Sequence, residues 1–210
     1  MNEEPKETIP EELLKMLSIP GVVLIYGPES SGKSTLVMYL ISKTIAPQDK
    51  VLLYDSSNAI EVFRRLGPKV GEDFVKRVYR VPVRGWDDQR KWVLNVGLMP
   101  KAFKKVVFDE FTFPYVLQLF KTKESIKNYM KLHRELLFQV AYLRYSSQSS
   151  GRTIFLVTRE RSNRNPLGGA SIKKIASFSI RLYKTKAGLH ELEVEGGDNG
   201  INKIILSLDP

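Results

Sequence analysis

Eight residues near the N-terminus, Gly27-Pro28-Glu29-Ser30-Ser31-Gly32-Lys33-Ser34, restrict this chain to a small set of folds. They satisfy G-x-x-x-x-G-K-[ST], they follow an apolar run (GVVLIY, 21–26), and they open a stretch of helical period over 33–45. Between a strand and a helix such a loop is a phosphate cradle. Its glycines let the backbone curl so that successive N–H groups face an anion, and the helix N-terminus adds the positive end of its dipole. Lys33 is then expected to reach the β- and γ-phosphates and Ser34 to ligate Mg²⁺. These eight residues and Thr35 form the expected ATP-binding set.

A phosphate-bound metal of this kind needs a carboxylate at the end of a neighbouring apolar strand. Asp109, closing KVVFD (105–109), fits that position through a metal-bound water. Glu110 beside it is open to two readings: a group that polarises the attacking water, or a polar residue leaving the sheet.

Around the loop, short apolar runs alternate with segments of helical period, the pattern of a mostly parallel sheet with crossover helices. Strands are expected at 50–55 (KVLLYD), 78–83, 105–109 and 153–158 (TIFLVT). Helices are expected at 58–66, ended by Gly67-Pro68, at 86–96, and at 124–145. In the last of these, Ile126, Tyr129, Met130, His133, Leu136, Leu137, Val140 and Ala141 follow the i, i+3, i+4 rule, and 146–150 reads as a loop that ends it. The final third carries short strands at 179–183, 189–194 and 203–206, so the fold class is α/β with an antiparallel C-terminal edge.

Composition excludes several classes. The 210 residues suit one α/β domain, here 19–210 behind an acidic segment or helix at 1–18. No apolar stretch reaches the about 18 residues a membrane span needs, and MNEEPKETIPEELLKML lacks the pattern of a signal peptide. With no cysteine, disulfides and thiolate metal sites are excluded, and the cytoplasm is the expected compartment. The net charge of +10 points to a polyanion such as DNA, or else to a lysine-rich surface kept for solubility or heat stability.

At 27–35 the residues GPESSGKST resemble the nucleotide loop of the RecA/RadA recombinase family. The segment 165–183, NPLGGASIKKIASFSIRLY, resembles the region after the fourth core strand of archaeal RadA paralogues of the RadB kind. There a Gly-Gly turn opens a helix and an Arg-Leu strand follows. The likeness runs over about 19–206 and implies a RecA-like ATPase core acting in recombination and repair. It further implies that loops after the third and fourth core strands approach single-stranded or branched DNA, with a RadA-type recombinase or another paralogue as protein partner. On this chain the second such loop, 159–174, holds Arg159, Arg161, Arg164, Lys173 and Lys174 against Glu160 alone. A loop of that kind can follow a phosphate backbone without reading bases, or it can be a solvated charge run. Phe111, Phe113 and Tyr115 could stack on bases, but core or interface packing is the favoured reading.

The chain departs from the family pattern in places. The water-activating glutamate two residues past the aspartate ending the second strand is replaced: that aspartate is Asp55, and the position holds Ser57. Thr158-Arg159 stand where Asn-Gln often senses the γ-phosphate, and Arg159 could still touch phosphate in its own site or a neighbour's. Phe138-Gln139-Val140-Ala141 has the letters of the Phe-x-x-Ala polymerisation signature, but core packing of the helix is the preferred account. These features leave a weak DNA-dependent ATPase as the leading expectation. The alternatives are a nucleotide-gated adaptor without significant hydrolysis and, behind it, a P-loop small-molecule kinase. His133 is expected as a satisfied helix histidine, and Trp86 and Trp92 as packing residues.

Overall fold

The structure is a computed structural model, and residues 9–57, 59–122, 125–185, 190–196 and 202–206 are described. The elements run α1 (Glu11–Ser18), β1 (Gly21–Gly27), α2 (Lys33–Thr44), β2 (Lys50–Asp55), α3 (Ile60–Val70), α4 (Glu72–Val75), β3 (Val78–Pro82) and α5 (Trp86–Asn95). After a 3-10 turn at Val96–Leu98 come β4 (Phe103–Asp109), α6 (Phe113–Lys121), α7 (Ile126–Ser150), β5 (Thr153–Arg159), α8 (Ala170–Ile175), β6 (Phe178–Lys184), β7 (His190–Glu195) and β8 (Asn202–Leu206).

The strands form one sheet in the order β3-β2-β4-β5-β1-β6-β7-β8. The first six run parallel, and β7 and β8 add an antiparallel edge. The expected architecture is therefore present, with β6 joining the parallel part by pairing Val23 with Phe178 through Tyr26 with Arg181. Every residue of β1 is buried, which follows from its central place under helices on both faces.

Alternation along each strand divides the core. Val23, Ile25, Leu53, Val107 and Phe155 face α1, α2 and α3. Val22, Leu24, Tyr26, Val106, Phe108 and Leu156 face α5, α6, α7 and α8. Leu13 and Leu17 of α1 lie in the first layer. Arg152 is buried and closes a turn, donating to the carbonyls of Phe103 (2.9 Å), Val96 (3.1 Å) and Met99.

Some elements differ from expectation. Helix α3 runs through Gly67-Pro68 and ends at Gly71, whose φ is 91°. Pro68 falls in the closing turns, where its missing N–H forfeits a single bond. The predicted start at Asn58 lies outside the described residues, as do the predicted start of the long helix at Glu124 and Leu189 of the penultimate strand. Residues 146–150 are helical rather than a loop. Ser147 and Ser149 return their hydroxyls to the carbonyls of Arg144 (2.7 Å) and Ser146 (3.2 Å), and Gly151 at φ 66° ends α7. Helix α6 has no counterpart among the expected elements.

The buried stripe of α7 is also turned from the expected one. It comprises Leu132, Leu136, Gln139, Val140, Leu143, Ser146 and Ser147. Ile126, Tyr129, Met130 and Ala141 are exposed, so only part of the predicted face reaches the core. Gln139 escapes an apolar count, yet it is buried because its Oε1 accepts from Gln89 Nε2 at 2.8 Å. Phe138 and Ala141 are exposed, so core packing does not account for them. Phe111 and Tyr115 are buried, Phe111 lying edge-on to Phe108 at 5.8 Å, and Trp86 packs on Tyr115 at 5.9 Å. Base stacking is thereby removed for Phe111 and Tyr115, while Phe113 stays partly exposed. His133, expected to be satisfied, has a buried Nδ1 without a hydrogen-bond partner, and its ring stacks on Tyr129 at 6.0 Å.

Candidate nucleotide site

The loop of Gly27 to Ser34 crosses from β1 to α2 at the C-terminal edge of the parallel strands. Two glycines fix its path for different reasons. A β-carbon on Gly27 would lie 1.9 Å from the Leu182 carbonyl oxygen, so only glycine lets β6 approach this closely. Gly32 takes φ 89° as the N-cap of α2, a conformation that favours glycine. No side chain caps α2 and no acid stands in its first turn, so its first N–H groups are left facing the loop. Ser31 adds a buried hydroxyl with no partner.

Lys33 is almost wholly buried and folds back on the loop, donating from Nζ to the carbonyls of Pro28 (2.6 Å) and Gly27 (3.3 Å). Burial pushes its pKa down, against the pull of the Glu110 and Asp109 carboxylates. Ser34 donates to Asp109 Oδ1 at 2.8 Å, and Ser57 donates to the other oxygen, Oδ2. The end of β4 thus meets the start of α2 through one buried carboxylate. Burial raises the Asp109 carboxyl to about 6, although both hydroxyls lower it and Glu110 and Asp55 raise it further.

Asp55, at the end of β2, serves the chain's own backbone. It accepts from the N–H groups of Ser57 (3.1 Å) and Ala59 (2.8 Å), and from Arg80 Nε of β3 at 2.8 Å. Glu110 sits at φ 51°, left-handed backbone that costs a non-glycine residue about 1 kcal/mol. From there it meets Arg159 Nε at 3.1 Å, and Arg159 Nη1 holds Glu29 of the loop at 2.9 Å. Arg159 therefore bridges the phosphate loop to the end of β4. His190 was not anticipated here: its Nε2 stands 3.5 Å from where a β-carbon on Gly32 would project.

An oxygen donor set of Ser34 and Asp109 suits Mg²⁺, which takes few protein ligands and completes its shell from water and phosphate. Among the described residues there is no group of three or more His, Cys, Asp or Glu that could hold a metal ion.

The residues expected to meet DNA are not all alike. Residues 159–167 form a tight loop in which Arg161 N donates to Asn165 O at 2.7 Å and Leu167 N to Arg159 O at 2.7 Å. Arg161 and Arg164 are exposed at its tip, and Lys174 is exposed on α8. Lys173 turns inward, 2.5 Å from Glu195 and 5.4 Å above the Tyr26 ring, and Arg159 is engaged at the phosphate loop. The structure thus divides that set into three exposed cations and two held in ion pairs within the chain. Both internal partnerships span long sequence separations and carry no local signal.

The Asp109 carboxyl has a consequence for stability. It titrates near 3.8 unfolded and about 6 folded, so between those values the folded state keeps a proton the unfolded chain has lost. Stability attributable to this group falls as pH rises through that window, and above it the cost is about 2–3 kcal/mol. Asp109→Asn is therefore expected to raise the thermal midpoint at pH 7.5, with the gain fading towards pH 4. Melting curves of both proteins across that range check it.

No protein-family model and no curated protein matches the sequence. Among solved structures, the chain is similar to the RadB recombinase, with a TM-score of 0.70 and 16% identity over 92% of this chain and 89% of that one. Strand order, a phosphate loop after β1 and this similarity agree on one architecture: the chain has a RecA-like P-loop fold.

Proposed function

We propose that this chain binds ATP with Mg²⁺, hydrolyses it weakly, and associates with single-stranded or branched DNA as an accessory to a RadA-type recombinase in repair. The observation that carries the reading is the meeting of Lys33, Ser34 and Asp109 around the uncapped start of α2. Bound Mg²⁺ would neutralise charge on the β- and γ-phosphate oxygens. Ser34 and Asp109 would hold the ion, the N–H groups of 30–35 would hold the phosphates, and Lys33 would leave the Pro28 carbonyl for the triphosphate. Glu110 is the carboxylate left to orient an attacking water, because Asp55 is committed to Arg80 and the α3 backbone. The exposed Arg161, Arg164 and Lys174 supply a positive surface for a phosphate backbone.

Slow turnover follows from two contacts. Ser57 offers a hydroxyl where a base would serve, and Arg159 neutralises Glu110. The same contacts favour a second reading, an adaptor in which ATP orders the loops for a partner without being consumed. Steady-state ATPase assays with and without single-stranded DNA separate the two. The first reading expects turnover that rises with DNA, and that rises again in Ser57→Glu. Turnover at background under every condition, with ATP bound, sinks it and leaves the adaptor.

A further inference from the structure

We propose that the outward face of α7, together with Leu94 and Leu98, docks an acidic amphipathic helix of a partner protein. The solvent side of α7 follows positions 127, 131, 134, 138, 141, 145 and 148, all exposed, with alternating steps of four and three. Such spacing keeps one line along a helix and matches the seam of a second helix laid beside it. Core packing leaves this line unused, since α7 turns Leu132, Leu136, Val140 and Leu143 to the sheet.

The line has two halves. Lys127, Lys131 and Arg134 make its first half basic, and Phe138, Ala141 and Tyr145 make its second half apolar. Phe138 is 57% exposed and Tyr145 69%. Tyr142 lies between them, 6.2 Å from the Phe138 ring, and donates to the Leu94 carbonyl at 3.1 Å. That contact brings Leu94 alongside, and Leu98, 83% exposed, follows one turn later. Exposed apolar groups gathered this way are a signature of a covered surface.

Charge selects the occupant. The single acid of α7 is Glu135, and Arg90 holds it at 2.7 Å, so the basic half has no acidic partner on its own helix. A second copy fits poorly. Antiparallel α7 helices would lay the basic half over Tyr145 and Gln148, and parallel ones would oppose like charges. Nucleic acid would satisfy the cations but leave Leu94, Leu98 and Phe138 wet. A helix with acidic residues at one end of its seam and leucine or phenylalanine at the other satisfies both halves.

The test uses a labelled fifteen-residue peptide of that pattern, and a scrambled peptide of equal composition, in fluorescence anisotropy against the full chain without nucleotide. Micromolar binding of the patterned peptide alone is expected, weakened about tenfold or more by Phe138→Glu and by salt. Lys131→Glu with Arg134→Glu should weaken binding and abolish its salt dependence. All these positions are exposed, so circular dichroism should report an unchanged fold. Equal binding of both peptides or none, or competition by single-stranded DNA, overturns the proposal. So does a dimer in sedimentation that Phe138→Glu dissolves. None of these results bears on the nucleotide site.

Discussion

Replacing Lys33 by alanine is expected to weaken ATP binding about a hundredfold or more while the protein stays folded. The ammonium group is buried and already oriented by the Pro28 carbonyl at 2.6 Å. Its pKa is held down by burial, so the protein bears a cost for keeping a cation there. That cost is returned only when a polyphosphate replaces neutral carbonyl partners with charged ones, and a charge-assisted bond in such a site contributes about 3 kcal/mol. Alanine removes the cost and the gain together. Calorimetric titration with ATP and a melting curve check both halves. Unchanged affinity would place the phosphates elsewhere, and an unfolded variant would show Lys33 to be structural.

Gly27→Ala is expected to be the most destabilising methyl addition among the described glycines, costing about 3 kcal/mol or more. The new carbon would lie 1.9 Å from the Leu182 carbonyl oxygen and 3.0 Å from its carbonyl carbon. Those atoms are the backbone of β6, which cannot step aside by changing rotamer. The central pair β1–β6 must part, or the loop that begins at Gly27 must move. Gly85→Ala is the control, because nothing lies within 4 Å of a β-carbon there and its φ of 170° is ordinary extended backbone. Urea unfolding of both variants makes the comparison. A Gly27→Ala protein as stable as the control would mean that β6 does not pack this close.

What the sequence disclosed was local. The phosphate loop is eight consecutive residues whose identities follow from backbone curvature and charge, and the apolar runs at 21–26, 50–55 and 153–158 are strands because they are buried on both faces. What it hid was set by pairs distant in the chain. Arg159 reads as one cation of a basic loop or as a phosphate contact, but the parallel pairing of β5 with β1 places it between Glu29 and Glu110. Ser57 reads as the loss of a water-activating base, and only the pairing of β2 with β4 gives its hydroxyl to Asp109. Helix α7 misleads for a different reason. Its first turns leave Ile126 and Met130 exposed, while Gln139 and Ser147 are buried, Gln139 accepting from Gln89 and Ser147 donating to the Arg144 carbonyl.

The most direct measurement is a calorimetric titration of the unmodified protein with ATP in Mg²⁺ at pH 7.5, repeated without the metal. Saturable 1:1 binding in the micromolar range that weakens markedly without Mg²⁺ is the predicted result, from a loop whose phosphate donors and Ser34–Asp109 pair are already assembled. No binding up to millimolar ATP by protein that melts cooperatively would contradict it.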